Sequence, residues 1–221
     1  MPDQIVIIGA GGHGRETAEI LQARARQIGD VELLGFVDDA AARLGAAIDG
    51  VPVLGDWSWF DGVDRGEVAV LCAVGMPAMS RRLAERARAL GLRLANAISP
   101  QAVVSPLAEV GQGVTLFPQA VVNTRAWLGD LCILNVGVSV SHDSVVGPYC
   151  NLNPGVRLAG NVRVGEGCYL GMGASVIQGR SIGPWTVVGA GAVVIRDLPA
   201  DVTAVGVPAR IIKTRGGRHG G

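Results

Sequence analysis

The chain has 221 residues, 49% of them hydrophobic and 17% charged, and its 19 Lys+Arg balance 19 Asp+Glu. A compact core is affordable at this length, while zero net charge sets aside nucleic acid and an anionic membrane surface as partners. No stretch approaches the ~18 apolar residues of a membrane helix, and Met1-Pro2-Asp3-Gln4 lacks the basic start of a signal peptide, so the expected compartment is the cytoplasm.

The first hundred residues alternate strand and helix signals. Ile5–Ile8 is a short apolar run ending in Gly9-Ala10-Gly11-Gly12-His13-Gly14, and a helix follows with Ala18, Leu21 and Ala25 on one face. Leu33–Val37 reads as a second strand stopping at Asp38-Asp39, Val68–Val74 as a third, Pro77–Leu90 as a helix with proline at its start, and Leu92–Ile98 as a fourth strand. Such alternation predicts a short parallel sheet with helices packed on it, a Rossmann-like subdomain over 1–100.

From about residue 108 the rhythm becomes hexameric. Cut into sixes from Ala108, the third position is Val110, Leu116, Val122, Leu128, Leu134, Val140, Val146, Leu152, Leu158, Val164, Leu170, Val176, Ile182, Val188 and Val194, aliphatic in fifteen hexads of fifteen. One obligatory aliphatic residue per six describes a β-solenoid with three flat faces, in which three hexads close a coil and the aliphatic row stacks inside it. The fourth position often holds Gly or Asn, read as corner residues that tolerate unusual dihedrals. Cys132, Cys150 and Cys168 lie eighteen apart and so share one small interior site on successive coils. The predicted division is a solenoid over 101–215 and a disordered tail over 216–221.

These features resemble the hexapeptide-repeat acyltransferases, whose solenoid is a left-handed parallel β-helix. The resemblance is specific to bacterial sugar acetyltransferases related to the sialic acid O-acetyltransferase, including N-acetyltransferases of nucleotide-linked 4-amino-4,6-dideoxy sugars of the bacillosamine and GDP-perosamine types. It covers almost the whole chain and is carried by GAGGHG at 9–14, FVDD at 36–39, SHDSVVG at 141–147, LAGNVRVGEGCYLGMGASV at 158–176 and VGVPAR at 205–210. It implies an acetyl-CoA-dependent enzyme with no metal, working as a homotrimer with active sites between subunits.

Amide formation from a thioester needs a neutral amine, removal of its proton and stabilisation of an oxyanion. His142 is the only histidine of the repeats, sits at a corner beside Asp143, and falls where the family has its catalytic base. His142 is therefore assigned as general base and Asp143 as its orienting acid, against the plainer reading of Asp143 as a solvated carboxylate. Asn151 departs from relatives that carry a second histidine there. By resemblance Asn151, Gly160, Ala190, Arg210 and Lys213 contact acetyl-CoA, with Gly160 offering its N–H. For Arg210 and Lys213, as for Arg196, phosphate contact competes with a solvated charge.

GAGGHG also matches the dinucleotide fingerprint, and read alone it suggests an NAD-dependent oxidoreductase, with Asp38 or Asp39 on the ribose. No substrate domain for hydride transfer follows it. The resemblance reassigns Gly9, Gly11, Gly12, His13 and Gly14 to the diphosphate of a nucleotide-linked amino sugar, and Asp38 and Asp39 to its base or ribose. The remaining rivals are sugar or sialic acid O-acetylation, a metal-dependent β-helix enzyme, which one histidine cannot ligate, and a non-enzymic scaffold.

Overall fold

Residues 2–40, 47–214 and 216 are described in a computed structural model. The chain divides into two compact units, 1–75 with 79–100, and 76–78 with 101–221.

The first unit is a sheet of order β3-β4-β2-β1-β5-β6, formed by β1 (Asp3–Ile8), β2 (Val31–Val37), β3 (Ala47–Ile48), β4 (Val51–Gly55), β5 (Val68–Cys72) and β6 (Arg93–Leu94). All its pairings are parallel except β3 with β4. Ile5–Ile8 and Val68–Cys72 are buried without alternation, as befits central strands covered on both faces. Helix α1 (Gly12–Gln27) buries Thr17, Ala18, Ile20 and Leu21, whereas Ala25 is only half-buried. Helix α2 spans Pro77–Ala89. The hairpin β3–β4 and the 3-10 turn Trp57–Asp61, which buries Trp57 and Phe60, go beyond the elements read from sequence. The expected strand 92–98 is split: Arg93–Leu94 pairs with β5 and Ala97–Ile98 is a separate two-residue strand. The chain runs from β1 outward through β2 to β4, then returns to place β5 on the other side of β1. That reversal makes β1 and β5 the topological switch point, beside whose carboxyl ends ligands usually bind in such sheets.

The second unit is a left-handed parallel β-helix of two-residue strands stacked in three sheets. One face stacks Thr115–Leu116, Ile133–Leu134, Asn151–Leu152, Tyr169–Leu170 and Val187–Val188 in register eighteen residues apart. The other two begin at Val103–Val104 and Glu109–Val110, and Val104 lies in phase with the aliphatic row, six residues before Val110. The aliphatic row is buried from Leu116 to Val194, while Val110, on the first strand of its sheet, is half-covered. Each such side chain contributes about 1.5–3 kcal/mol on leaving water. A second inward row is small, and in it the thiols of Cys132, Cys150 and Cys168 donate to the carbonyls of Gly147, Gly165 and Gly183 at 3.1, 3.0 and 3.2 Å. Burial raises the Cys150 thiol well above the ordinary range, which keeps it an unreactive core residue.

The fourth-position glycines require a correction. Positive φ falls on the sixth position of the hexad, at Gln119, Arg125, Leu131, Asp143, Tyr149, Asn161 and Trp185 as well as at several glycines. Gly129 instead lacks a side chain because the next coil is too near: a Cβ would lie 2.6 Å from Pro148 N and 2.9 Å from its Cα. The fourth-position asparagines add a different contact, the amides of Asn123 and Asn153 donating to Val140 O and Leu170 O at 3.3 and 2.8 Å.

Candidate active site

The corner after Ser139–Val140 carries His142 and Asp143, and the same corner recurs one coil later at Gly160 and Asn161. Each coil hands its corner to the next through a backbone bond, Asp143 N–H to Thr124 O at 3.1 Å and Asn161 N–H to His142 O at 3.0 Å. Asp143 adopts φ 59°, which turns its carboxylate back onto the preceding residue. Its Oδ2 lies 2.8 Å from His142 Nδ1, and its Oδ1 accepts from Arg125 Nε at 2.9 Å. Neighbours in a strand point apart; this left-handed corner brings them together.

The hydrogen bond from His142, aided by the charges of Arg125 and His142, holds the Asp143 carboxyl below the usual carboxylate range. An ionised carboxylate only accepts, so a neutral His142 carries its proton on Nδ1 and presents the Nε2 lone pair. The ring lies flat against Gly160: a Cβ there would sit 2.5 Å from both Cε1 and Nε2. Gly160 O accepts from Gly179 N–H, and no backbone carbonyl among the described residues takes the Gly160 N–H. The site thus joins a base that presents its Nε2 lone pair to a glycine at the same corner one coil later. Arg125 was not among the residues singled out from sequence, although the eighteen-residue coil places it directly beneath Asp143.

The other predicted residues are not gathered here. Asn151 is buried on a different sheet, between Ile133 and Tyr169. Ala190, Arg196, Arg210 and Lys213 are exposed, the last two on the strand Arg210–Thr214 that closes the end of the solenoid. Arg196 follows Gly160 by two coils on the His142 corner. Among the described residues no group of three His, Cys, Asp or Glu side chains forms a metal site, and no helix is long and apolar enough to cross a membrane.

In the first unit the loop glycines divide into two kinds. Gly9 has φ 105° with Ala73 O 3.2 Å from a would-be Cβ, and a Cβ on Gly14 would run into the Gly9 carbonyl, so both are needed by the fold. Gly11 and Gly12 have nothing within 4 Å, which leaves their backbone open on the side where α1 begins. The first turn of α1 has no acidic residue and its N-cap, Gly11, no side-chain bond; free N–H groups and the helix field favour an anion there. Asp38 accepts from Ala10 N–H and Ala40 N–H, both at 2.8 Å, and so shapes the loop, while Asp39 is exposed.

Burial lowers the His13 imidazole to about 4. Its unfolded value is near ~6.5, so the unfolded chain binds the extra proton between those values and stability falls as pH drops from ~6.5 toward 4. The expected loss is up to about 3 kcal/mol. Thermal melts of His13→Gln should therefore fall less steeply than those of the parent between neutral pH and pH 5, and parallel curves would refute it.

A hexad solenoid with an oriented histidine at one exposed corner defines an acyltransferase of the hexapeptide-repeat class. Residues 4–87 match the PglD N-terminal domain. The acetyltransferase domain of PglB from Neisseria gonorrhoeae is 35% identical over 95% of this chain and 100% of its own, with TM-score 0.88, and its complex with acetyl coenzyme A matches over 96% of this chain with TM-score 0.89. GDP-perosamine N-acetyltransferase from Caulobacter crescentus, solved with CoA and GDP-perosamine, is 42% identical over 95% of this chain and 97% of its own, with TM-score 0.87. WeeI from Acinetobacter baumannii is 29% identical over 94% of this chain and 99% of its own, with TM-score 0.86. No curated protein sequence matched. The chain belongs to the PglD/PglB and perosamine family of sugar N-acetyltransferases.

Proposed function

We propose that the chain transfers the acetyl group of acetyl-CoA to the 4-amino group of a nucleotide-linked 4-amino-4,6-dideoxy sugar, of the GDP-perosamine, UDP-bacillosamine or dTDP type, for a surface glycan or O-antigen. The observation that carries this reading is His142, tied to Asp143 at 2.8 Å and laid against Gly160. The amine nitrogen attacks the thioester carbonyl and a C–N bond forms while Nε2 of His142 takes the amine proton. The tetrahedral oxyanion then collapses, the C–S bond breaks, and the CoA sulfur leaves with the proton that the imidazolium returns. The Gly160 N–H is the donor assigned to the thioester oxygen, with the Asn151 amide as a second. Arg196, Arg210 and Lys213 are assigned to coenzyme A phosphates, and Ala190 to its pantetheine arm.

The acceptor's diphosphate belongs on the Gly9–Gly14 loop, with its open glycines and free helix N-terminus. His13 lines that loop, Asp38 shapes it, and Asp39 is the acid available to the ribose or base. Residues 1–100 are thus the sugar-nucleotide domain and 101–215 the acyltransferase domain; of the predicted tail 216–221, all but Gly216 lies outside the described residues. The working form is a cytoplasmic homotrimer whose subunits share active sites. Exposed Val103, Leu107, Val136 and Met172 on the solenoid support an assembled state, and light scattering should give three chain masses.

The deciding experiment follows thiol release from acetyl-CoA with UDP-, GDP- and dTDP-linked 4-amino-4,6-dideoxy sugars and with free sialic acid. Release with one amino sugar nucleotide identifies the reaction. Release with sialic acid alone moves the chain to O-acetylation, and silence with all four overturns the acceptor assignment.

A further inference from the structure

We infer that Arg125 is a positioning residue for the His142 base, acting entirely through Asp143. Asp143 offers two carboxylate oxygens, and the structure gives them to different partners: Oδ2 to His142 Nδ1 at 2.8 Å and Oδ1 to Arg125 Nε at 2.9 Å. Arg125 sits one coil below Asp143 at the same hexad position and with nearly the same backbone, φ 55° against 59°. The stacked corners therefore hold its side chain in line with the acid above. On the other side of the site, the next coil supplies Gly160 and Asn161, which bring no charge.

The consequence is geometric. A carboxylate held by a single partner is free to turn about its Cβ–Cγ bond, and its hydrogen bond to an exposed imidazole is then in competition with water. Anchoring Oδ1 fixes the plane of the group and keeps Oδ2 on Nδ1. The imidazole is thereby restricted to the tautomer protonated on Nδ1, although neutral histidine in water prefers the proton on Nε2. Only the first tautomer leaves Nε2 able to accept a proton from the attacking amine. The guanidinium does not touch the reacting atoms; outer partners of this kind set the orientation and basicity of the group that does. Most of the Arg125 side chain faces solvent, 71% exposed, so its removal leaves the coil core intact.

This inference rests on the acetyl-transfer reading for its kinetic arm, and on the free protein alone for its spectroscopic arm. Long-range proton–nitrogen NMR on the full chain, above neutral pH, should show His142 protonated on Nδ1 in the parent and a mixture including the Nε2–H form in Arg125→Gln. With the acceptor found active, Arg125→Gln should lower kcat by about tenfold without changing KM for either substrate, and Arg125→Lys should recover part of the loss. An unchanged His142 spectrum in Arg125→Gln overturns the proposal whether or not the parent acetylates any acceptor. A raised KM for acetyl-CoA with kcat preserved also overturns it, since Arg125 would then be a substrate contact.

Discussion

His142→Ala is expected to lower kcat for acetyl transfer by about 10²–10⁴-fold, the range for loss of a positioned general base, with KM for acetyl-CoA little altered. The ring is 52% exposed in its side chain and packs on a glycine outside the aliphatic row, so the fold does not depend on it. Melting temperature should stay close to that of the parent. Steady-state kinetics and a thermal melt on the same preparation separate the two effects. A variant that keeps its rate would place the base elsewhere, and one that fails to fold would make His142 a structural residue. The loss should also exceed that of any change at Arg125, because Arg125 acts through Asp143 whereas Nε2 of His142 meets the amine.

Much of the solenoid was legible from spacing alone, whereas the site residues were assigned largely through the family resemblance. A strict period of six in Val, Leu and Ile leaves few arrangements that bury one row continuously, and the structure buries that row from Leu116 onward. What the pattern concealed was the phase of the corner. Gly shares the left-handed sixth position with Asn, Asp, Gln, Arg, Leu, Tyr and Trp, so no single residue type marks it. Glycine recurs two residues earlier for a different reason, because neighbouring backbones meet there. The aliphatic row also runs back ahead of Ala108: Val104 stands six residues before Val110, and Val103–Val104 pairs in register with Val121–Val122. In the first unit, β4 interrupts its apolar residues with Pro52 and Gly55, which weakens the strand signal. Arg125 was accessible in principle, since any charged residue eighteen before an assigned acid lies beneath it in the solenoid. Residue type and the family resemblance pointed to His142 and Asp143; coil adjacency adds the contact of Arg125 with Asp143.

Two glycine substitutions should fail in opposite ways. In Gly160→Ala the new methyl meets the imidazole of His142, with Cε1 and Nε2 each 2.5 Å away. A side chain can swing aside, and Gly160 has no positive φ, so stability should change by less than about 1 kcal/mol. Catalysis should suffer instead: the displaced ring leaves Asp143 and the amine together, and kcat should fall by about 10–100-fold. In Gly129→Ala the methyl meets Pro148 N at 2.6 Å and its Cα at 2.9 Å, backbone that cannot move without parting two coils. That overpacking should cost about 1–3 kcal/mol or more, seen as a lowered melting temperature, with the kcat of the folded fraction preserved. Combining Gly160→Ala with His142→Ala sharpens the test. If Gly160 matters as the surface on which the ring rests, the second change adds nothing to the residual rate once the ring is gone. If the rate falls further, the added methyl obstructs the acetyl group itself and not only the ring, and the two contributions are separated by the cycle.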